Sequence, residues 1–207
     1  MREVLLMDYN NVKERLKESA SILMSAHGYD GVSVREICKH AGVNSNAISY
    51  HFGGKESLFE ELINSFTHEV YESPNHLLKA DVSIEAEFKL CLHLFFEETL
   101  KKMLQHKYLI RMFSKEARCR KENIALKDFH KNIMEFLQRG MDLGIINSKL
   151  DPSFITGAFM DRIFVQVVHG DQLSKAHGYD INDANYRKVW VQNNLELFFH
   201  GLFIKKD

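Results

Sequence analysis

Apolar residues recur along the chain at the three- and four-residue spacing of an amphipathic helix. Val12, Leu16, Ala20, Leu23 and Met24 fall on one helical face, with Lys13, Glu14, Lys17 and Glu18 outside it. The same rhythm predicts helices over 10–27, 33–40, 45–51, 54–72, 83–104, 106–117, 123–143, 152–170 and 185–204. Only two prolines interrupt it. Pro74, in "ESPN", ends one helix. Asp151-Pro152 starts another, because an aspartate can cap the free N–H groups and proline at the first helical position lacks only an N–H that would stay unpaired. The pentapeptide "AHGYD" occurs at 26–30 and at 176–180, and each copy reads as a helix end closed by Gly28 or Gly178 in a left-handed cap. The expected fold is all-α.

The most informative stretch follows the first helix, "GVSVREICKHAGVNSNAISYHFGGKESLF". Ser33 and Glu36 have the spacing of a capping box, and Val32 and Ile37 that of a hydrophobic staple across it. Gly42 supplies the positive φ of a tight turn, and Asn44 can cap the next short helix. Two short helices joined by such a turn form the unit that places its second helix in a DNA major groove. On that helix Ser45, Asn46 and Ser49 point outward and are short enough to approach base edges, and Arg35 on the preceding helix is placed toward them. Tyr50 and His51 follow where they can donate to phosphates, as can Ser33. Gly53-Gly54 makes a bend. Lys55 opens the next helix, where an ammonium, the dipole and free N–H groups converge on one anion.

From Gly28 to Ile63 the chain resembles the N-terminal DNA-binding domain of the tetracycline-repressor (TetR) family. The likeness rests on the Gly-Tyr helix end, the Ala-Gly-Val turn, the Tyr50-His51-Phe52 cluster and the Lys55-x-x-Leu58 helix start. Cys38 stands where the family usually has alanine and Asn44 where it has serine; both substitutes are small or able to cap. Further on, "GMDLGIINSKLDPSFITGAF" is similar to the start of the family's eighth helix. The resemblance implies a three-helix helix-turn-helix domain, set here at 1–55, and a helical ligand-binding and dimerisation bundle over 56–207. It also implies a pocket inside that bundle and a homodimer made by the last two helices of each chain.

Composition narrows the field. Net charge is −1, and up to Lys55 seven basic residues face six acidic ones, so any DNA binding must come from placed contacts and dimerisation rather than a basic field. Cys38, Cys91 and Cys119 form no CxxC pair, and the histidines lack a metal-binding spacing, so neither a metal nor another cofactor is expected. No phosphate loop, nucleophile elbow or paired-carboxylate signature marks an enzyme. The sequence has neither a signal-peptide pattern nor an apolar run long enough to span a bilayer, which fits a cytoplasmic protein without a membrane partner.

Beyond residue 73 the chain is rich in phenylalanine. Most of it must be core, and Arg111, Phe113, Phe129, Met134 and Phe159 are the candidates for a pocket wall. Arg162 and Gln166 lie one turn apart on the helix that starts at Pro152. Val191, Leu195, Phe198 and Leu202 form an apolar face on the last one. Both helices are apolar around more of their circumference than one small bundle can cover, so these six residues are expected at a dimer interface. The function expected is a ligand-responsive repressor that binds a near-palindromic double-stranded operator as a homodimer and leaves it on binding a small apolar effector. The alternative is a co-regulator or activator that uses the same fold to bind protein.

Overall fold

The computed structural model describes residues 2–115 and 124–202, with side chains over 11–112 and 125–198. Its elements are α1 (Arg2–His27), α2 (Val34–Ala41), α3 (Ala47–Phe52), α4 (Lys55–Phe66), a π turn (Thr67–Glu72), α5 (Asn75–Leu78), α6 (Glu85–Gln105), α7 (Lys107–Lys115), α8 (Ile124–Asp142), α9 (Pro152–His177) and α10 (Ala184–Leu202). No strand occurs among the described residues. The chain is all-α, as expected, and the predicted helices are present with shifted ends. Gly28 and Gly178 are the left-handed caps anticipated for the two "AHGYD" copies. Asp151 caps α9 by accepting from Ser153 N at 2.8 Å, with Pro152 at the first helical position. The two largest differences are the start of α1, at Arg2 rather than residue 10, and the end of α9, which runs past Gly170 to His177. Gly170 is a point of close approach: a Cβ there would stand 3.1 Å from Ile181 Cγ2.

The chain forms two compact units. The first contains α1–α4 and α7; the second contains α5, α6 and α8–α10. By this division α4 lies with the first unit, whereas the sequence places the domain boundary after residue 55. The apolar face of α4 (Leu58, Phe59, Leu62, Phe66) is buried, and α4 is tied to the first unit by its own contacts. The Tyr29 and Phe59 rings meet edge-on at 4.8 Å, and Lys13 of α1 pairs with Glu61 at 3.1 Å. Helix α7 packs along α1, and His106, at its start, meets Phe66 at 5.8 Å.

In the second unit the phenylalanines of α6 form the core. Phe88 stacks on Phe136 at 4.4 Å and Phe95 lies 5.6 Å from Phe129, so α6 and α8 run antiparallel. Phe96 meets Phe159 of α9 at 4.1 Å and stacks on Trp190 of α10 at 5.7 Å. Arg139 of α8 donates to Ala80 O at 3.1 Å and to Leu78 O, which satisfies carbonyls that the short α5 leaves open. Gly140 lets α6 and α8 approach: a Cβ there would come within 2.7 Å of the Phe88 ring and 2.9 Å of Ile146 Cδ1. Gly140→Ala gains about 1 kcal/mol of helix propensity but overpacks this contact at about 1–3 kcal/mol. The expected result is a fall in Tm of a few degrees, read by calorimetry; a rise would show that the rings yield freely.

Helices α9 and α10 are antiparallel, since Arg162 meets Asn194 and Phe159 meets Phe198. Their faces are not those expected. Val191, Leu195 and Gln166 are buried within the protomer, Leu195 at 1% exposure. Arg162 turns along α10, donating to Asn194 Oδ1 at 2.8 Å with its guanidinium 5.6 Å from the Phe198 ring. Among the described residues, the exposed large apolar side chains of the pair are Phe154, Phe164, Val165, Val189 and Leu197, Leu197 at 62%. The Leu202 side chain lies outside the described residues.

Candidate nucleic-acid interface

The helix-turn-helix is held by contacts that leave its outer face open. Ser33 caps α2: its Oγ accepts from Glu36 N at 3.2 Å, while Glu36 Oε2 accepts from Ser33 N and Ser33 Oγ at 2.7 Å each. These bonds hold the Glu36 carboxyl below the usual carboxylate range. The box engages both Ser33 donors, the groups expected at a phosphate, within the chain itself. Gly42 closes α2 at φ 64°, and its N–H bonds back to Cys38 and Lys39 carbonyls. Arg15 of α1 donates to the Ala41 carbonyl and, at 3.0 Å, to that of Gly42, clamping the same helix end. The Cys38 thiol donates to Ser45 O at 3.7 Å, and Asn44 Oδ1 accepts from Asn46 N at 2.9 Å. Ile48 is buried and anchors α3.

Arg35, Ser45, Asn46, Ser49 and Tyr50 consequently stand exposed, Tyr50 at 76%. Asn46 makes no capping bond with its side chain, although it precedes α3. Lys39 joins the exposed set. The sequence reading passed over it, although its four-residue spacing from Arg35 on α2 was a usable signal.

Lys55 is more tightly held than expected. Its ammonium donates to Tyr29 O at 2.5 Å and lies 4.1 Å from the Tyr29 ring centroid. Lys13 and Lys17 pair with Glu61 at 3.1 and 3.9 Å, and Lys17 with Glu14 at 2.6 Å. These three lysines brace the first unit.

His51 is half-buried, with its ring 4.9 Å from that of Tyr50 and edge-on to it. Burial, and secondarily the charge of Lys13, push its pKa below the ordinary value, so it is neutral near pH 7. Because the folded pKa is the lower one, the unfolded chain takes the proton first. Stability is therefore full above about pH 6.5 and declines as pH falls through and below that value. A phosphate at His51 acts oppositely, favouring the imidazolium. DNA binding should thus take up a proton, and operator affinity should rise between pH 7.5 and 6 in wild type and stay flat in His51→Gln. Equal slopes in titrations of the two proteins would remove His51 from the interface.

The expected pocket residues fall in both units. Arg111 lies on α7 in the first unit, while Phe129 and Phe159 are buried in the ring stack of the second and Met134 is half-buried on α8. The Phe113 side chain lies outside the described residues. Surface grooves occur elsewhere, beside His27 and His40 on the first unit and beside Arg139 on the second. Among the described residues no cluster of three or more His, Cys, Asp or Glu could hold a metal, and no helix is long and apolar enough to cross a membrane.

A short helix carrying polar side chains outward from a braced helix-turn-helix is the arrangement by which such units present a helix to a DNA major groove. Residues 17–62 match the family model of the bacterial regulatory proteins of the tetR family. The "Probable HTH-type transcriptional regulator YttP" of Bacillus subtilis is 35% identical over 106 residues, 51% of this chain and 50% of that protein. The "Biofilm operon icaADBC HTH-type negative transcriptional regulator IcaR" of Staphylococcus aureus is 24% identical over 42% of this chain and 47% of its own length. The chain thus spans about half the length of the curated relatives it matches. Among solved structures, the ketosteroid transcriptional regulator KstR2 of Mycobacterium tuberculosis superposes with a TM-score of 0.73 at 18% identity, covering 93% of this chain and 95% of that one. The TetR-family regulator PfmR of Thermus thermophilus gives 0.68 at 19% identity, over 93% and 100%. Fold and relatives are those of transcriptional regulators rather than enzymes.

Proposed function

We propose that this chain acts in the cytoplasm as a repressor. It binds a near-palindromic operator as a homodimer and is released by a small apolar effector held in its C-terminal unit. The observation that carries the reading is the exposed set Arg35, Lys39, Ser45, Asn46, Ser49 and Tyr50 on the outer side of α2 and α3. Two such units on a two-fold axis would enter successive major grooves about 34 Å apart. The uncovered apolar residues Phe164 and Val165 of α9 and Val189 and Leu197 of α10 supply the surface for pairing. Repression is supported by IcaR, named a negative regulator. An effector acts by binding the DNA-free state better than the DNA-bound one. Selection from random duplexes tests the reading. The enriched sequence should be an inverted repeat with half-site centres about 10 base pairs apart, and a small-molecule extract of the cells should release it. Enrichment of no sequence, or of a single unpaired half-site, would overturn it.

A further inference from the structure

Two side chains in the core of the second unit carry polar atoms that the folded chain does not engage. Thr99 on α6 is fully buried and Gln166 on α9 is more than nine-tenths buried. Neither Thr99 Oγ1 nor Gln166 Oε1 has a hydrogen-bond partner, although a buried polar group left without one destabilises a fold. Of the other polar side chains of this unit, the half-buried Asn75 likewise has an Oδ1 without a partner, whereas the buried Thr156 and Asn194 are satisfied. Thr156 Oγ1 donates to Pro152 O at 2.8 Å, and Asn194 accepts from Arg162 and donates to Trp190 O, each at 2.8 Å. Among the described residues no charged side chain of this unit is buried. Helices α6 and α9 meet through Phe95, Phe96 and Phe159. Thr99 follows Phe95 by one turn, and Gln166 follows Phe159 by two.

We propose, resting on the reading that this unit holds an effector, that the effector is an uncharged, mainly apolar molecule whose hydroxyl or amide group is received by Thr99 and Gln166. A threonine hydroxyl both donates and accepts, and a glutamine side chain offers a carbonyl and an amine at its two ends. A ligand group that does both, a hydroxyl or an amide, matches them. A carboxylate or an ammonium would enter an aromatic core without a countercharge, and losing its hydration would outweigh two neutral hydrogen bonds.

The test uses one carbon skeleton with three ends: biphenyl-4-methanol, 4-methylbiphenyl and biphenyl-4-carboxylate. The chain's single tryptophan, Trp190, stacks on Phe96 and reports binding by its fluorescence. In wild type the alcohol should bind about tenfold tighter than either of the others, the worth of one well-made hydrogen bond in a buried site. Thr99→Val and Gln166→Met should each abolish the preference over 4-methylbiphenyl, while the carboxylate stays excluded for want of a countercharge. Each should also raise the Tm of the ligand-free protein by about 2–4 °C, because an unpartnered polar atom is removed with little change of shape. A carboxylate that binds as well as the alcohol overturns the proposal. So does a preference over 4-methylbiphenyl that survives both substitutions, or a lower Tm in both variants, which would show the two groups engaged within the fold. If no probe binds yet the cell extract releases the operator, this class fails while the effector reading stands. If neither happens, both fail.

Discussion

Leu195→Glu should give a chain that does not fold, whereas Leu197→Glu should give a folded monomer. The two leucines lie two positions apart on α10, roughly 200° around the helix. Leu195 is 1% exposed and Leu197 is 62% exposed. A carboxylate at 195 would sit in the core of the second unit, among residues that offer it no charged partner. Burying it costs several kcal/mol, and removing the leucine costs about 2–5 kcal/mol more. Together these match the whole stability of an ordinary domain, about 5–15 kcal/mol. At 197 the same change is within about 0.5 kcal/mol for the protomer. In a two-fold dimer, however, each new charge faces its own copy or an apolar surface. Loss of pairing removes the linkage between half-sites, and operator affinity should fall by about 10²–10⁴. Circular dichroism and light scattering decide between the two fates. A dimer of Leu197→Glu with wild-type operator affinity would move the pairing surface off α10.

Asn46→Ala should weaken operator binding and spare a scrambled duplex, while Lys55→Ala should weaken both. Asn46 is exposed at the start of α3 and its side chain makes no cap, so its amide is available for the paired donor and acceptor of an adenine. Losing that contact costs about 1–3 kcal/mol in each half-site, roughly 30-fold to 10⁴-fold across a dimer at 1.4 kcal/mol per decade. Arg35→Ala should follow Asn46→Ala if α2 reaches the groove floor, and Lys55→Ala if it reaches only the backbone. Lys55→Ala should also flatten the salt dependence by about one unit per protomer. Because its ammonium also holds the Tyr29 carbonyl, this variant should lose Tm as well. Titrations of both duplexes at several salt concentrations check all three variants. Equal loss on both duplexes for Asn46→Ala would end its assignment as a base contact.

The helix-turn-helix was legible in the chain because its determinants are local. The Ser33–Glu36 capping box, the positive φ at Gly42 and the Asn44 turn each act within a few residues, and each has a sequence signature. So do the Asp151-Pro152 start of α9 and the glycine ends of α1 and α9. The employment of the cations was not legible. Lys13 and Lys17 reach Glu61, Arg15 reaches the end of α2, and Lys55 reaches Tyr29, all across separations that no local pattern encodes.

Periodicity by itself determined that the chain is helical, where most helices lie and which short helix turns polar residues outward, because helix propensity, caps and turns are near-neighbour effects. The tertiary structure alone decided where the units divide and which side of α9 and α10 is core. Residues 185–204 are apolar on several faces, so a 3.6-residue rhythm cannot choose among them. Packing against α6 makes that choice, through the stack of Trp190 on Phe96, and turns Val191 and Leu195 inward. The same packing left Thr99 and Gln166 inside without partners, because burial is settled by which surfaces meet and not by the residues that lie next to each other in sequence.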